Sequence, residues 1–190
     1  MAACLTLLAV GPAAGSDFPA IPLSLGSCAL PGTRTGEVRS VYWELQEHTE
    51  VCVNLVPEAT AAGPSPFVFT FSFTHTGRDF KPPAWVLFRA QLPPHYLVVT
   101  PSLDVALDGG EPLHLVGPGQ PYQVTYPPNC TFSETGCGFT GVEVPLSPET
   151  FRRLAQARRI QGTGFGIPFS LPEDARRSLS ELARRMRAGE

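Results

Sequence analysis

Lysine is almost missing from this chain: Lys81 stands alone beside thirteen arginines, and no basic residue precedes Arg34. The bias fits codon usage in a GC-rich bacterial genome better than a binding role. Histidine is sparse too. His48, His75, His95 and His114 never recur at the short spacings of a metal-binding pair, so no metal centre is expected. Phosphate loops, dinucleotide folds, nucleophile elbows and zinc proteases each need a signature that does not occur, which leaves no catalytic or cofactor-binding residue to nominate. Gly162-Thr163-Gly164-Phe165-Gly166 is too evenly spaced to cradle a pyrophosphate, and no helix opens directly behind it. Long apolar runs are also lacking. The longest covers roughly ten residues, about half of what a membrane-spanning helix needs.

That run lies at the start. Ala2 to Gly11 is apolar, and Pro12-Ala13-Ala14-Gly15-Ser16 is small-residue punctuation of the kind an export peptidase cuts. Residues 1–15 therefore read as a signal peptide without its usual basic beginning. Met1-Ala2-Ala3-Cys4 resembles the end of a lipoprotein box, but the residues after Cys4 are apolar, where an acylated cysteine is followed by polar ones.

Net charge is −3, which favours neither nucleic acid nor a membrane surface. The charge is uneven. Residues 1–150 hold five basic against thirteen acidic side chains, and residues 151–190 hold nine against four. Two amphipathic helices with arginine on the wet face would account for the basic end.

Twenty-one prolines and eighteen glycines fall between short apolar runs, as turn punctuation does in an all-β sandwich or barrel. Residues 16–36 read as an extended Pro/Gly-rich segment laid over a single domain, 37–190. Strands are expected near 38–45, 49–56, 67–74, 85–91, 96–100, 103–107, 112–116, 121–126 and 139–144. The clearest is 67–74. Phe67, Phe69, Phe71 and Phe73 alternate with Val68, Thr70, Ser72 and Thr74, so all four rings share one face. That face needs a covering layer, expected to be a second sheet, and the Thr/Ser face can stay wet. Asp108-Gly109-Gly110 marks a hairpin.

The tail changes period. Ser147-Pro148-Glu149 opens a helix near 148–157, with Phe151, Leu154 and Ala155 as its apolar stripe. Residues 161–170 return to strand, where Gly162, Gly164 and Gly166 mark a bulge or close backbone approach. Ser170 and Glu173 match a capping box before a helix near 172–187, whose Ala175, Leu179, Leu182 and Met186 lie on one side. The expected fold is mainly β: an antiparallel sandwich of roughly seven to nine strands with two C-terminal helices packed on it.

Cys28, Cys52, Cys130 and Cys137 form an even set that an oxidising compartment can pair. Cys130 and Cys137 flank a loop of turn formers, so the close couple is the preferred bridge, which leaves Cys28 with Cys52. Four cysteines allow three connectivities, and the others stay open. Asp104, Asp108 and Glu111 lack the spacing of a calcium loop and read as a solvated turn. Asn129-Cys130-Thr131 matches a glycosylation acceptor by chance alone.

From residue 126 to 182 the order is Cys130, Gly136-Cys137, strand, short helix, glycine-bearing strand and a helix from about Pro172. This segment, under a third of the chain, resembles the invasion-associated locus B family of exported bacterial β-sandwich proteins. The resemblance implies a periplasmic or surface-associated accessory protein without known catalytic residues, and no site residue carries over. The function expected is therefore an exported, non-catalytic binding or structural domain of a bacterial envelope. It needs no cofactor and has another envelope protein or a cell-surface component as partner. A metal-binding protein, or a hydrolase whose site assembles only in three dimensions, is the alternative.

Overall fold

The computed structural model describes residues 28, 34–59, 63–93, 100–117, 120–125 and 140–187. Among them ten strands and two helices follow in order: β1 (Arg39–Trp43), β2 (His48–Leu55), β3 (Val68–Thr76), β4 (Val86–Gln91), β5 (Leu103–Leu107), β6 (Leu113–Val116), β7 (Gln123–Thr125), β8 (Gly141–Leu146), α1 (Pro148–Gln156), β9 (Ile160–Gly164), β10 (Ile167–Ser170) and α2 (Glu173–Arg185). They form a six-stranded sheet, β1-β2-β3-β4-β8-β7, and a four-stranded sheet, β10-β9-β5-β6. Every pairing is antiparallel. The mainly β sandwich with two C-terminal helices is thus the observed fold. The strand expected at 96–100 lies almost wholly outside the described residues.

The phenylalanine face of β3 organises the core. Phe67, Phe69, Phe71 and Phe73 are all buried. The register sets Val51, Val53 and Leu55 of β2 beside Phe73, Phe71 and Phe69, and Phe88 and Ala90 of β4 on the other side. The cover changes along the strand. Phe67 and Phe69 meet Phe169 of β10, with centroids 5.9 and 4.9 Å away. Phe71 stacks on Phe88 at 4.5 Å and faces Phe151 of α1 at 5.8 Å. Phe73 packs edge-on against Phe80, from the β3–β4 connection. A second sheet alone was expected above these rings; sheet, helix and loop share the work. A small apolar void of about 10 Å³ is lined jointly by the large sheet (Phe69, Phe71, Phe88), the small sheet (Val105, Ile160, Phe169) and Leu154 of α1. The three layers therefore enclose one core.

The glycines of β9 sit where the backbone of β5 and these rings leave little room. A Cβ on Gly162 would collide with the Asp104 carbonyl and lie 2.8 Å from Phe169 Cζ; one on Gly164 would lie 3.0 Å from Phe67 Cζ. Phe165 and Gly166 then turn the chain, both with positive φ (52° and 78°), which is the geometry of a two-residue primed hairpin. The segment 161–170 is accordingly two strands and a turn, and this raises the count to ten.

Helix α1 begins as its residues dictate. Ser147 Oγ accepts from Thr150 N at 3.0 Å, and Pro148 takes the first helical position. The capping box at Ser170 and Glu173 does not form. Ser170 belongs to β10, where its carbonyl accepts from Glu58 N at 2.8 Å, and the N-cap of α2 is Pro172, without a side-chain cap bond. α2 lies against β2 and α1, burying Ala175, Leu179, Leu182 and Ala183. Its Ser180 Oγ donates to Ala155 O at 2.8 Å, satisfying one of the carbonyls that the end of α1 leaves open.

Truncation of Phe69 or Phe71 to alanine is expected to cost about 3–5 kcal/mol in denaturant unfolding. Thr74→Ala, on the exposed side of the same strand, should stay within about 0.5 kcal/mol. Equal losses on both faces would contradict the layering.

Candidate functional site

The side of the large sheet away from the core carries the first candidate. Cys52 faces outward on β2 and is bonded to Cys28, 24 positions away in sequence, with Cα atoms 6.0 Å apart. This is the pairing left by elimination once the close couple Cys130 and Cys137 is set aside, and it ties Cys28, in the proline-rich N-terminal segment, to the sheet. Cys130 and Cys137 lie outside the described residues. Next to the bridge, Asn54 Nδ2 donates to Cys28 O at 2.8 Å, and Thr70 Oγ1 donates to Asn54 Oδ1 at 2.7 Å. Register continues the same row through Arg89, Glu143 and Gln123. Arg89 Nε donates to Glu143 Oε1 at 2.6 Å, and Glu143 is only 8% exposed. A polar row thus crosses five strands. Glu50, 1% exposed, accepts from Trp43 Nε1 at 3.3 Å on the same face. The face expected to stay wet is therefore partly dry: Ser72, which pairs directly with Cys52, is buried beside the bridge. Asn54 with Cys28 and Thr70, Arg89 with Glu143, and Trp43 with Glu50 hydrogen-bond one another, which is the chemistry of a structural seam.

A second candidate sits on the outer face of the small sheet. There a depression of about 430 Å³ is lined by Asp104, Ala106, Gln161, Thr163 and Pro168, among others. At its side, His114 Nδ1 meets Asp104 Oδ1 at 2.7 Å. Asp104 and His114 stand equally far in sequence from Gly109, so the hairpin that Asp108 and Gly109 turn, both at positive φ, brings them opposite each other. A carboxylate on Nδ1 fixes the imidazole and leaves Nε2 outward, as a general base requires. Among the described residues no hydroxyl or thiol hydrogen-bonds this histidine, so no activated nucleophile is assembled. Asp108 has a different task. Its backbone N donates to Arg159 O at 2.9 Å and its Oδ1 accepts from Arg159 N at 2.8 Å, clamping the hairpin tip to the α1–β9 connection.

A third candidate is cationic. Between the end of α1 and the first half of α2 lies a depression of about 370 Å³, lined by Arg158, Arg176, Arg177, Glu173, Gln156 and Ser180. At the far end of α2, Glu181 accepts from Arg184 (2.8 and 2.9 Å) and from Arg185 (3.0 Å). These bonds, Arg184 first, hold its carboxyl down at about 2, well below the ordinary carboxylate range.

Two more histidines lie within the large sheet. His75 closes the phenylalanine row of β3, 9% exposed and edge-on to Phe80 at 5.4 Å. His48 pairs with Thr76 across β2 and β3. His95 lies outside the described residues. Among the described residues no three His, Cys, Asp or Glu side chains converge as a metal site would need, and no helix is long and apolar enough to cross a membrane.

Fold and sites together define a two-sheet antiparallel β domain closed by C-terminal helices, with a disulfide anchor on one face and shallow polar depressions elsewhere. Comparison with protein-family models, curated proteins and solved structures finds no match.

Opening the Cys28–Cys52 bridge should remove roughly 3.5 kcal/mol in the chain-entropy model for a loop of this length. Cys28→Ser is therefore expected to lower the melting temperature, and reductant should do the same to wild type; a melt indifferent to both would contradict the anchoring role. Glu181 gives a pH signature. Its folded-state pKa is depressed, so its contribution is present above its ordinary value of 4.5 and disappears as pH falls toward 2. Glu181→Gln should narrow the difference in stability between neutral pH and the acid range, and an unchanged acid profile would contradict the pairing.

Proposed function

We propose that this chain is an exported, non-catalytic domain of a bacterial envelope, acting as a binding or structural accessory to another envelope protein or a cell-surface component. The observation that carries the reading is the Cys28–Cys52 bridge. Disulfides of this structural kind persist in oxidising compartments. This one joins the segment that follows an apolar, signal-like beginning to the body of the sheet. The polar groups of the adjoining row are committed to one another, which suits a scaffold. The resemblance around Cys130 and Cys137 to the invasion-associated locus B family adds support from the other end of the chain.

A hydrolase is the second reading, favoured by the Asp104–His114 pair beside the small-sheet depression. It requires a water or substrate hydroxyl as the group that His114 activates.

Fractionation of the native host tests the first reading. The expected product is found outside the cytoplasm, begins near Ser16 or Asp17, lacks Cys4, and yields a linked Cys28–Cys52 peptide on non-reducing mapping. Cytoplasmic protein that retains Met1 and five free thiols would overturn it. Hydrolysis of an ester or phosphoester probe that His114→Ala abolishes, in protein of unchanged melting temperature, would transfer the case to the second reading.

A further inference from the structure

We propose that the cationic depression between α1 and α2 docks an acidic polypeptide segment of a partner protein. The inference stands on charge and geometry and does not need the export reading. Arg158 comes from the α1–β9 connection, whereas Arg176 and Arg177 come from the first half of α2, yet all three border one depression. Arg158 and Arg177 are exposed. Neither Arg158 nor Arg176 has an ion-pair partner among the described residues. Among the described residues the one carboxylate at the rim, Glu173, reaches Arg177 at 3.9 Å with both side chains 73% exposed. A pair that open and long contributes little and exchanges readily for another carboxylate. Arg152, Arg153, Arg159 and Arg187 add exposed positive charge around the same two helices, so the basic bias of residues 151–190 has a location.

The surroundings select among anions. A guanidinium presents a planar fork that matches a carboxylate bidentately, and Gln156 adds an amide to the lining. A bilayer would need large apolar side chains to insert, but Phe151, Leu154, Leu179 and Leu182 are all buried in the core. Nucleic acid would need aromatic platforms or an extended basic track. Among the described residues no aromatic lines the depression, and the acidic remainder of the chain would repel a long polyanion. A compact phosphate would concentrate its charge beside Glu173 and Asp174 if held at the start of α2, whereas separated carboxylates can be placed on Arg158 and Arg176, away from that first turn. A short acidic stretch, whose carboxylates can be spaced along the depression and whose backbone can bond Gln156, meets all of these conditions.

Fluorescence anisotropy with a labelled oligoglutamate peptide tests the proposal on the full chain at low ionic strength and again at about 0.15 M salt. The triple variant Arg158→Ala, Arg176→Ala, Arg177→Ala is compared with Arg34→Ala, Arg78→Ala, Lys81→Ala, which removes the same charge elsewhere. Saturable binding that the first variant weakens at least tenfold and the second leaves within twofold supports the proposal. A milder Arg176→Gln, matched to wild type in melting temperature, should show a smaller loss in the same direction. Equal weakening by both triple variants would reduce the effect to net charge and overturn it. So would absence of saturable binding. Preferential binding to phosphatidylglycerol vesicles or to a single-stranded oligonucleotide would replace the acidic segment with a lipid or nucleic-acid partner.

Discussion

Four phenylalanine rings on one face of β3 cannot be left in water. Burying a side chain of that kind contributes roughly 1.5–3 kcal/mol, so the row together is of the same order as the 5–15 kcal/mol net stability of an ordinary domain. Much of the remaining architecture is a response to it. The β9–β10 hairpin brings Phe169 over Phe67 and Phe69; α1 supplies Phe151 where the small sheet ends; Phe80 finishes the row beyond. On β9 a Cβ at Gly162 would run into the Asp104 carbonyl and the Phe169 ring, and one at Gly164 would crowd the Phe67 ring. The constraint propagates from one strand into the composition of another nearly a hundred residues away.

How much of this was legible in sequence depends on the range of the determinants. Alternation in 67–74, the Asp108-Gly109 turn and the Ser147-Pro148 helix start are local, so the residues themselves announce strand, hairpin and cap. Ser170 announced a cap and is a strand residue, because it pairs with Gln161 of β9 and its carbonyl also accepts from Glu58 N beyond the ladder. Phe165-Gly166 did not announce a turn, since a phenylalanine at positive φ runs against its own preference and is sustained by packing near Phe67 at 6.0 Å. The wet face predicted for β3 failed at Ser72 for a similar reason: the alternation of one strand says nothing of a disulfide on the next.

The candidate sites were less legible still. Asp104 and His114 could have been paired from their equal distance to the hairpin turn. Arg158 could not have been joined to Arg176 and Arg177 without knowing that α2 returns alongside α1, which Ser180 records by reaching the Ala155 carbonyl. Charge totals locate a surplus along the chain. Only the packing of the helices turns that surplus into a place.

The bridge between Cys28 and Cys52 encloses β1 within a covalent ring, because that strand lies between the two cysteines in sequence. β1 is also an outermost strand of the large sheet, the position from which proteins exchange strands with their copies. A tethered ring cannot lend such a strand to a neighbour: its ends remain fastened to the same β2 it would have to leave. Oxidation therefore keeps β1 with its own chain at this border of the sheet, and any intertwined form made through β1 must arise before the two sulfurs join.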